Sequence, residues 1–300
     1  MKIVSLLPAA TEIVSELGLL DQLVGRSHEC DFPEDVVDLP VLTRARIDSS
    51  LPSAEIDERV RQVMQQRLPI YMLDEAKLTA LAPDVVVTQA ACEVCAISYD
   101  QVKTALRRTA PNAALVSLQP ARLSDILDDV ILVAKACGAP ARGTALVQRL
   151  QTRLSAVAAR TLSPRPRVAV VEWLAPLMLA GHWVPESIER AGAVYVGPKP
   201  GLPSPYASWE ELAALRPDAI VVAPCGFDLP RTLEESRPVV DRLRAITERV
   251  LFLDGNAYLN RPGPRVVEAI ETIGGWLRGE AVPAERGVSG FEAPGIHAAA

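Results

Sequence analysis

Large rings and long hydrophobic runs are scarce in this sequence. Aromatic residues make up 4% of its 300 positions. No stretch approaches the roughly 18 consecutive apolar residues that a membrane-spanning helix needs. The apolar run after Lys2 stops at Pro8, whereas the core of a secretory signal is about 7 to 15 apolar residues long. We therefore expect no membrane insertion and a cytoplasmic location, with a periplasmic or extracytoplasmic location only if the start is misassigned.

Positive charge is neither dominant nor clustered. Lysine and arginine number 31 against 37 acidic residues, which gives a net charge of -6. A nucleic-acid-binding chain presents a basic patch or stripe to the phosphate backbone. The composition therefore excludes nucleic acid as the expected partner.

Local motifs for nucleotide binding and serine hydrolysis are also missing. The chain has no Gly-x-Gly-x-x-Gly, no P-loop and no Gly-x-Ser-x-Gly elbow. No carboxylate pairs with a base at close sequence spacing. We predict a binding protein without a catalytic step, and the alternative from another class is a metal-dependent or thiol-redox enzyme that uses Cys92 and Cys95.

Cysteine is limited to five residues, an odd number that favours a reducing compartment over a disulfide framework. Cys137 stands near the end of an apolar helix pattern, and Cys225 follows a strand pattern. We interpret both as small core or loop residues.

An internal echo predicts the architecture. The segment 78–87 (LTALAPDVVV) is matched by the segment 212–221 (LAALRPDAIV). In each, a short helix ends before a proline and a buried, β-branched strand begins at once. Two lobes of one plan are implied.

Strand patterns alternate with helical ones in both halves, which predicts an α/β fold of two Rossmann-like lobes with parallel sheets. We predict a helix from Thr11 to Leu17 with Thr11 as its N-cap, and another at Ile188 to Ala191. The predicted strands are Lys2–Leu7, Leu23–Gly25, Val85–Thr88, Ala114–Leu118, Arg167–Glu172, Ala219–Val222 and Val250–Leu253.

A helical stretch without strand signals separates the halves. Apolar residues recur on one helix face at Leu146, Leu150, Leu154 and Val157, so we predict a long rigid backbone helix as the connector. The predicted divisions are an N-terminal lobe at 1–122, connecting helices at 123–163, a C-terminal lobe at 164–278 and a disordered tail at 279–300.

Two short polar segments, 27–31 (SHECD) and 92–95 (CEVC), carry three of the cysteines and one of the three histidines. His28 and Cys30 stand two apart, so in an extended segment both side chains point the same way. Cys92 and Cys95 have the spacing that lets two thiolates grip one ion. The four could bind zinc, iron or another thiophilic metal, or approach the metal of a larger ligand. Simple packing of these side chains, or reversible oxidation of the two thiols, are the alternatives.

Aromatic residues in the second half follow strand patterns. His182 and Trp183 come after Gly181, which permits a close approach of the backbone. Tyr206 lies in a proline-rich loop before Ser208, a candidate helix cap, and Tyr258 follows the last strand of the lobe. Large rings at one edge suit a large planar ligand, with interior packing as the alternative.

Several of these segments together are familiar. The opening Ser5 to Ile13, the paired Pro-Asp strands, the central helix and the segment Tyr258 to Arg265 resemble the cobalamin-binding class of helical-backbone periplasmic binding proteins, over about residues 1 to 278. The family holds vitamin B12, iron siderophores, haem or metal ions between two α/β lobes joined by a rigid helix, and delivers them to ABC importers.

The resemblance implies a cobalamin or related corrinoid ligand in the cleft between the lobes, with haem, an iron siderophore or a metal ion as alternatives. Relatives present a glutamate from each lobe to arginines of the permease, and Asn260 stands at the second position here, so docking to an ABC permease is expected to be weakened. The ligand-binding residues implied are Pro8, Ala9, Ser27, His28, Glu29, Cys30, Cys92, Cys95, Gly181, His182, Trp183 and Tyr258, and the aromatic pattern adds Tyr206.

Overall fold

The computed structural model describes residues 1–89, 99–160 and 162–291 and divides the chain into two compact units. Unit 1 comprises Met1–Leu51, Glu55–Pro120 and Ser124–Arg149. Unit 2 comprises Pro52–Ala54, Ala121–Leu123 and Leu150–Ala300. The predicted α/β class is confirmed. The helices predicted as connectors at 123–163 are divided between the two units, and the predicted division of the chain stays a prediction.

Unit 1 contains a parallel four-stranded sheet in the order β2-β1-β5-β6 and a two-stranded antiparallel ribbon, β3-β4. Its elements are β1 (Ile3–Ser5), α1 (Pro8–Glu16), β2 (Leu23–Arg26), β3 (Thr43–Ala45), α2 (Ser53–Gln65), β4 (Tyr71–Leu73), α3 (Glu75–Leu81), β5 (Val85–Gln89), α4 (Tyr99–Thr109), β6 (Ala114–Leu118) and α5 (Leu123–Ala136). The helix α6 (Pro140–Ala158) belongs to unit 1 up to Arg149 and to unit 2 from Leu150.

The first helix starts earlier than predicted. Pro8 occupies its first turn, where a missing N–H costs no hydrogen bond, and Leu7 takes the N-cap position. Thr11 is therefore inside the helix, and its hydroxyl oxygen lies 2.8 Å from Ser5 Oγ. The prediction of Thr11 as an N-cap is wrong because proline at the first helical position already defines the start.

Unit 2 is built on β7 (Arg167–Leu174), β10 (Ala219–Val222) and β11 (Val250–Leu253), which are parallel. Two antiparallel strands flank them, so the order is β12-β11-β10-β7-β8, and β9 also pairs with β7. The other elements are β8 (Leu177–Leu179), α7 (Val184–Arg190), β9 (Val194–Tyr195), α8 (Trp209–Ala214), α9 (Leu229–Ser236), α10 (Val240–Ile246), α11 (Val266–Leu277) and β12 (Gly287–Ser289).

The sequence echo has a structural basis in the two Pro-Asp pairs. In unit 1 the carboxylate of Asp84 accepts the backbone N–H of Lys2 at 2.7 Å. In unit 2 Asp218 accepts the backbone N–H of Arg167 at the same distance. Each aspartate thus fixes the start of the neighbouring parallel strand, so the repeated motif sets strand register twice.

The predicted disordered tail is wrong for its central part. Gly287–Ser289 pairs with β11 as an antiparallel edge strand, and Phe291 is 5% exposed. The ring of Phe291 packs edge-on against Phe252 with centroids 6.1 Å apart. A short strand with one anchoring ring lacks the long periodicity on which the sequence argument depended. Residues 292–300 lie outside the described part of the chain.

The helices α5 and α6 take the place of the predicted connector. In unit 1, Arg142 donates to the carbonyl oxygen of Leu17 at 3.1 Å, and Arg149 pairs with Glu16. In unit 2, Arg153 forms two bonds to Glu271, at 2.8 and 2.6 Å. The four apolar residues predicted on one face of α6 are all buried. Among the described helices, none has the length and apolar character required to cross a bilayer.

Candidate functional site

The carboxyl ends of three parallel strands of unit 1 lie at one edge of its sheet. These strands are β2, β1 and β5, which are neighbours in the sheet. Pro8 and Ala9 open α1 after β1, and Ser27 follows β2. Pro8 is half-buried and Ala9 is 2% exposed. Cys92 and Cys95, predicted as ligands after β5, lie outside the described residues.

The segment after β2 is a tight turn. The backbone N–H of Cys30 donates to the carbonyl oxygen of Ser27 at 3.2 Å, with His28 and Glu29 at the centre of the turn. The expectation of an extended segment with His28 and Cys30 on the same side is therefore wrong. In a turn the side chains fan out, because the chain reverses within four residues.

The side chain of Arg26 holds this turn by hydrogen bonds. Its guanidinium donates to the carbonyl oxygens of Ser27 at 3.1 Å and Cys30 at 3.0 Å, and it also reaches the carbonyl oxygen of Val37. Arg26 is 9% exposed, so these carbonyls take the place of water around a buried charge. Arg26 was not among the predicted site residues, although a charged residue that ends an apolar strand is a signal of a buried anchor.

A hydroxyl pair orients the imidazole of His28. Nδ1 of His28 lies 2.8 Å from Oγ1 of Thr43, and the backbone N–H of His28 donates to the same oxygen at 3.1 Å. Thr43 in turn donates to Ser27 Oγ at 2.9 Å. Burial and the nearby charge of Arg26 lower the pKa of His28, which favours the neutral imidazole.

Glu29 and Tyr71 complete this side of unit 1. The hydroxyl of Tyr71 donates to Glu29 Oε1 at 2.7 Å, and its ring lies 5.4 Å from that of His28, tilted by 44°. Tyr71 comes from β4, which pairs with the strand carrying Thr43. The ribbon β3-β4 thus places an aromatic ring and a hydroxyl against the turn, and neither was predicted.

Cys30 points into the interior. It is 1% exposed, and its Sγ lies 3.0 Å from Oγ1 of Thr11 on α1. Among the residues that the structure describes, no group of three or more His, Cys, Asp and Glu side chains is arranged to hold a metal ion. The predicted set of His28, Cys30, Cys92 and Cys95 stays a prediction, since half of it falls at 90–98.

Cys137 and Cys225 agree with their interpretation as core or loop residues. Cys137 is 5% exposed, and burial raises the pKa of its thiol to about 11. Cys225 is half-buried after β10, where its backbone N–H donates to the carbonyl oxygen of Glu172 at 3.0 Å. Both have free thiols in the structure.

The segment of Gly181, His182 and Trp183 in unit 2 begins beside the middle of β7. It follows β8, which runs antiparallel to β7, and the N–H of Ala180 donates to the carbonyl oxygen of Val170 in the middle of β7. It therefore does not follow the carboxyl end of a parallel strand, as the sequence pattern suggested, although Trp183 still reaches the turn of Tyr258 through Leu259. A Cβ on Gly181 would lie 2.3 Å from the carbonyl oxygen of Leu202, so glycine is required there.

His182 and Trp183 are held by neighbouring backbone. His182 has φ +51°, and its N–H donates to the carbonyl oxygen of Leu202 at 2.7 Å. Trp183 Nε1 donates to the carbonyl oxygen of Leu259 at 2.9 Å, and the two rings have centroids 5.8 Å apart. Burial lowers the pKa of His182, so its imidazole is favoured in the neutral form. The pair is a fixed aromatic feature on the flank of unit 2.

Tyr258 follows β11 within a π-helical turn, Gly255–Leu259. Its ring has the guanidinium carbons of Arg265 and Arg286 at 5.5 and 5.7 Å from the centroid. Burial raises the pKa of Tyr258, so the phenol stays neutral. Tyr206 pairs with Met178 through its backbone and is 57% exposed. Ser208 caps α8 in a capping box with Glu211, as its sequence position predicted for the cap.

Further aromatic residues stand at the carboxyl end of β7 and β10. Trp173 lies on β7, and its ring is 5.0 Å from that of Phe227. The guanidinium carbon of Arg231 lies 3.9 Å from the Phe227 centroid. The backbone N–H of Asn256 donates to the carbonyl oxygen of Phe227, which ties this pair to the turn of Tyr258. Neither ring was predicted, although Trp173 directly follows the predicted strand Arg167–Glu172 and Phe227 lies in the loop after Ala219–Val222.

Asn260 serves an internal role. Its Nδ2 donates to the carbonyl oxygen of Ala223 at 2.6 Å, and its Oδ1 is a buried oxygen without a hydrogen-bond partner. Ala223 directly follows β10, so this amide joins the end of β10 to the segment that follows β11. The side chain is neutral and turned toward the backbone.

Comparisons with known proteins agree with this architecture. The vitamin B12-binding protein of Vibrio cholerae is 23% identical over 280 residues, which cover 92% of this chain and 89% of that protein. The solved periplasmic vitamin B12 binding protein of the same organism gives a TM-score of 0.64 at 21% identity, over 92% of this chain and 96% of the other. A periplasmic haem binding protein from Pseudomonas aeruginosa gives 0.70 at 21% identity, over 96% and 97%.

The family is shown by a match over most of the chain. The family model described as "Periplasmic binding protein" covers residues 3–256. That span includes the sheet of unit 1 with its loops and the parallel strands of unit 2. The resemblance predicted from the sequence is confirmed: the chain belongs to the periplasmic binding protein family.

Proposed function

We propose that this protein binds cobalamin or a related corrinoid without changing it chemically. The observation that carries the proposal is the turn of His28, held by Arg26 and Thr43 beside the Tyr71 ring at the carboxyl edge of a parallel sheet. Such edges are where open α/β sheets bind ligands. The vitamin B12-binding relative supports a corrinoid.

The geometry supports a set of proposed contacts in each unit. In unit 1 they are the turn Ser27–Cys30 and the start of α1. In unit 2 we favour Tyr258 and Trp173, because Trp173 lies at the carboxyl end of β7 and Tyr258 follows the carboxyl end of β11. Flat rings with polar edges suit the face and the amide-bearing rim of a corrin.

A haem is the second candidate. The observation in its favour is the TM-score of 0.70 with a haem binding protein, together with a phenol, Tyr71, that stands beside an imidazole. Imidazole and phenolate are both known axial partners of haem iron. A siderophore or a bare zinc or iron ion stays a lesser alternative.

Calorimetric titration with cyanocobalamin, haemin and a ferric siderophore tests the proposal. We expect saturable binding of the corrinoid at micromolar concentration, and a weaker response to the other two. Tyr258→Ala should weaken corrinoid binding, while Tyr206→Ala should change it less because Tyr206 is 57% exposed beside β8. Saturable binding of haemin alone would replace the corrinoid by the second candidate.

The same purified protein tests the remaining alternatives. Elemental analysis without an affinity metal reports any resident zinc or iron, and Cys92→Ser shows whether the metal depends on that thiol. For a partner, we propose that contact with an ABC permease lacks the charge that a glutamate would supply on unit 2. The amide of Asn260, which is bonded to Ala223, supports this.

A further inference from the structure

We propose that Nε2 of His28 is an axial ligand to the metal of the bound tetrapyrrole, where it replaces an exchangeable ligand such as water. This inference rests on the proposed function and adds to it the class of ligand, a cobalt or iron tetrapyrrole with one exchangeable axial position. From the sequence, His28 was predicted to share a metal site with cysteines or, with them, to approach the metal of a larger ligand. The structure supports a different arrangement, in which the imidazole acts without Cys30.

The first step is the orientation of the ring. Thr43 donates its only hydroxyl hydrogen to Ser27 Oγ. Its oxygen can therefore act only as a hydrogen-bond acceptor toward His28. The imidazole therefore donates Nδ1–H to Thr43 Oγ1 at 2.8 Å, and the lone pair stands on Nε2. Histidines that bind metals donate their other ring N–H in this way, which fixes the tautomer and the ring plane.

The second step is the surroundings of Nε2. The side chain of His28 keeps 27% of its surface exposed, and among the described residues the structure shows no hydrogen bond to Nε2. Glu29 Oε1 lies 3.9 Å away, too far for a hydrogen bond, and is anchored by the Tyr71 hydroxyl. Because lone pairs of Nε2 and of a carboxylate stand close together, a positive centre is favoured in front of them.

The third step is rigidity. Arg26 fixes two carbonyls of the turn, and Thr43 also binds the backbone N–H of His28. Both anchoring side chains are at least nine-tenths buried. An axial ligand must stand at a defined distance from the metal, and a turn anchored at both the backbone and the ring meets that demand.

The ligation step is a simple exchange. The bond between Co(III) and water breaks, the Nε2 lone pair forms a Co–N bond, and one water leaves. The oxidation state of the metal is unchanged, and the imidazole keeps its Nδ1–H, which still donates to Thr43 Oγ1. Imidazole suits cobalt and iron centres as a borderline nitrogen donor. Cyanocobalamin, whose cyanide does not exchange readily, provides a matched ligand without this step.

Absorption spectroscopy of aquocobalamin tests the proposal. The full chain should shift the corrin bands toward those of an imidazole complex, and His28→Ala should abolish the shift and weaken aquocobalamin binding at least about 10-fold. Free imidazole should restore the shift in this variant. Cyanocobalamin affinity should change much less. His28→Gln, whose amide can still reach Thr43, repeats the test if the alanine variant folds poorly.

Three results would overturn this inference. One is binding of aquocobalamin by the unaltered chain with no spectral shift. Another is a shift that persists in His28→Ala, and the third is its loss in His182→Ala instead, which would assign the nitrogen to the other described histidine. The proposed function is tested separately, because cyanocobalamin binding needs no axial exchange. Absence of binding to every tetrapyrrole by the unaltered chain would sink both proposals.

Discussion

Nδ1 of His28 lies 2.8 Å from Oγ1 of Thr43, although the two residues are 15 positions apart. The contact forms because the chain between them returns beside β2, where Leu42 donates its N–H to the carbonyl oxygen of Arg26. Local sequence around His28 therefore cannot reveal its partner. The ring orientation depends on a short strand that comes after a long loop.

Thr43→Val tests this contact. Valine matches the shape of threonine but cannot accept a hydrogen bond. The ring N–H and the backbone N–H of His28 therefore both lose their acceptor, and Ser27 Oγ loses a donor. Thr43 is 6% exposed, so we expect the free energy of unfolding to fall by about 1 to 3 kcal/mol. Urea unfolding measures the loss. Corrinoid affinity should fall as well, because the imidazole is no longer held in one orientation.

Thr79→Val is the matched control. Thr79 is exposed, and its hydroxyl bonds only within α3, to the carbonyl oxygen of Glu75 at 2.8 Å. A surface change of this kind alters stability by no more than about 0.5 kcal/mol. Equal effects of the two substitutions on stability and ligand affinity would contradict the role assigned to Thr43.

Arg26→Lys tests the closure of the turn. Lysine keeps the charge, but its single nitrogen cannot replace both Nη1, which reaches the carbonyls of Ser27 and Cys30, and Nη2, which reaches that of Val37. We expect a loss of about 1.5 to 3 kcal/mol in the free energy of unfolding, the range for hydrogen bonds to charged groups. Corrinoid affinity should also fall. Arg44→Lys on the exposed side of β3 should change neither quantity appreciably, and a parallel loss there would argue against a specific anchor.

The strands that form the two parallel sheets could be predicted from the sequence. Val85–Val87 is an uninterrupted β-branched run because the strand is buried on both faces, and all three residues are at most 2% exposed. The Pro-Asp pairs mark the next strand start in both units. Burial and proline chemistry are local signals, which is why these elements were found at nearly their observed bounds.

Short edge strands could not be predicted in the same way. β4 and β12 have three residues each, and every residue of β4 is half-buried, so no hydrophobic run announces them. Their pairing depends on partners far away in sequence. For the same reason the direction of β8 was missed, and with it the position of His182 and Trp183.

The candidate site was only partly accessible to sequence reasoning. The turn after β2 was found because polar residues directly follow a strand. Arg26, Thr43 and Tyr71 were not, since their contribution is a contact across a turn or between distant strands. The inward position of Cys30 depends on α1, which brings Thr11 to its sulfur.

Asp129 on α5 should make stability depend on pH. Burial, with the charges of Asp125 and Asp128 adding to it, raises the pKa of this carboxyl from 3.8 to about 7. The folded state therefore favours the protonated form, and its stabilising contribution is present below about pH 4. It is lost as pH rises to about 7, with a slope of at most about 1.4 kcal/mol per pH unit.

Asp129→Asn isolates this contribution. The asparagine is neutral at every pH, so its free energy of unfolding minus that of the unaltered chain should rise from pH 4 to 7 and level off above. Asp128→Asn removes an exposed negative charge that raises the pKa of Asp129. In that variant the pH-dependent loss of stability should therefore be complete at a lower pH. A difference that is flat across this range, measured by urea unfolding at each pH, would show that Asp129 titrates normally.

Gly255→Ala should disturb the turn that carries Tyr258. An added Cβ would lie 2.2 Å from the carbonyl oxygen of Pro224 and 2.8 Å from the carbonyl carbon of Ala223, and backbone atoms cannot rotate away. We expect the free energy of unfolding to fall by about 1 to 3 kcal/mol or more, as for overpacked cores. Corrinoid affinity should fall with it, because the shift moves Tyr258 within the same π-helical turn.

Gly226→Ala separates crowding from backbone strain. Gly226 has φ +77°, but a Cβ there would meet no atom within 4 Å, so only the cost of the left-handed conformation applies, about 1 kcal/mol. Its effect on corrinoid affinity should be the smaller of the two because no neighbouring backbone is displaced. Thermal unfolding and calorimetric titration of both variants measure the difference. If Gly255→Ala matched Gly226→Ala in both, close approach to Pro224 would not be what fixes the Tyr258 turn.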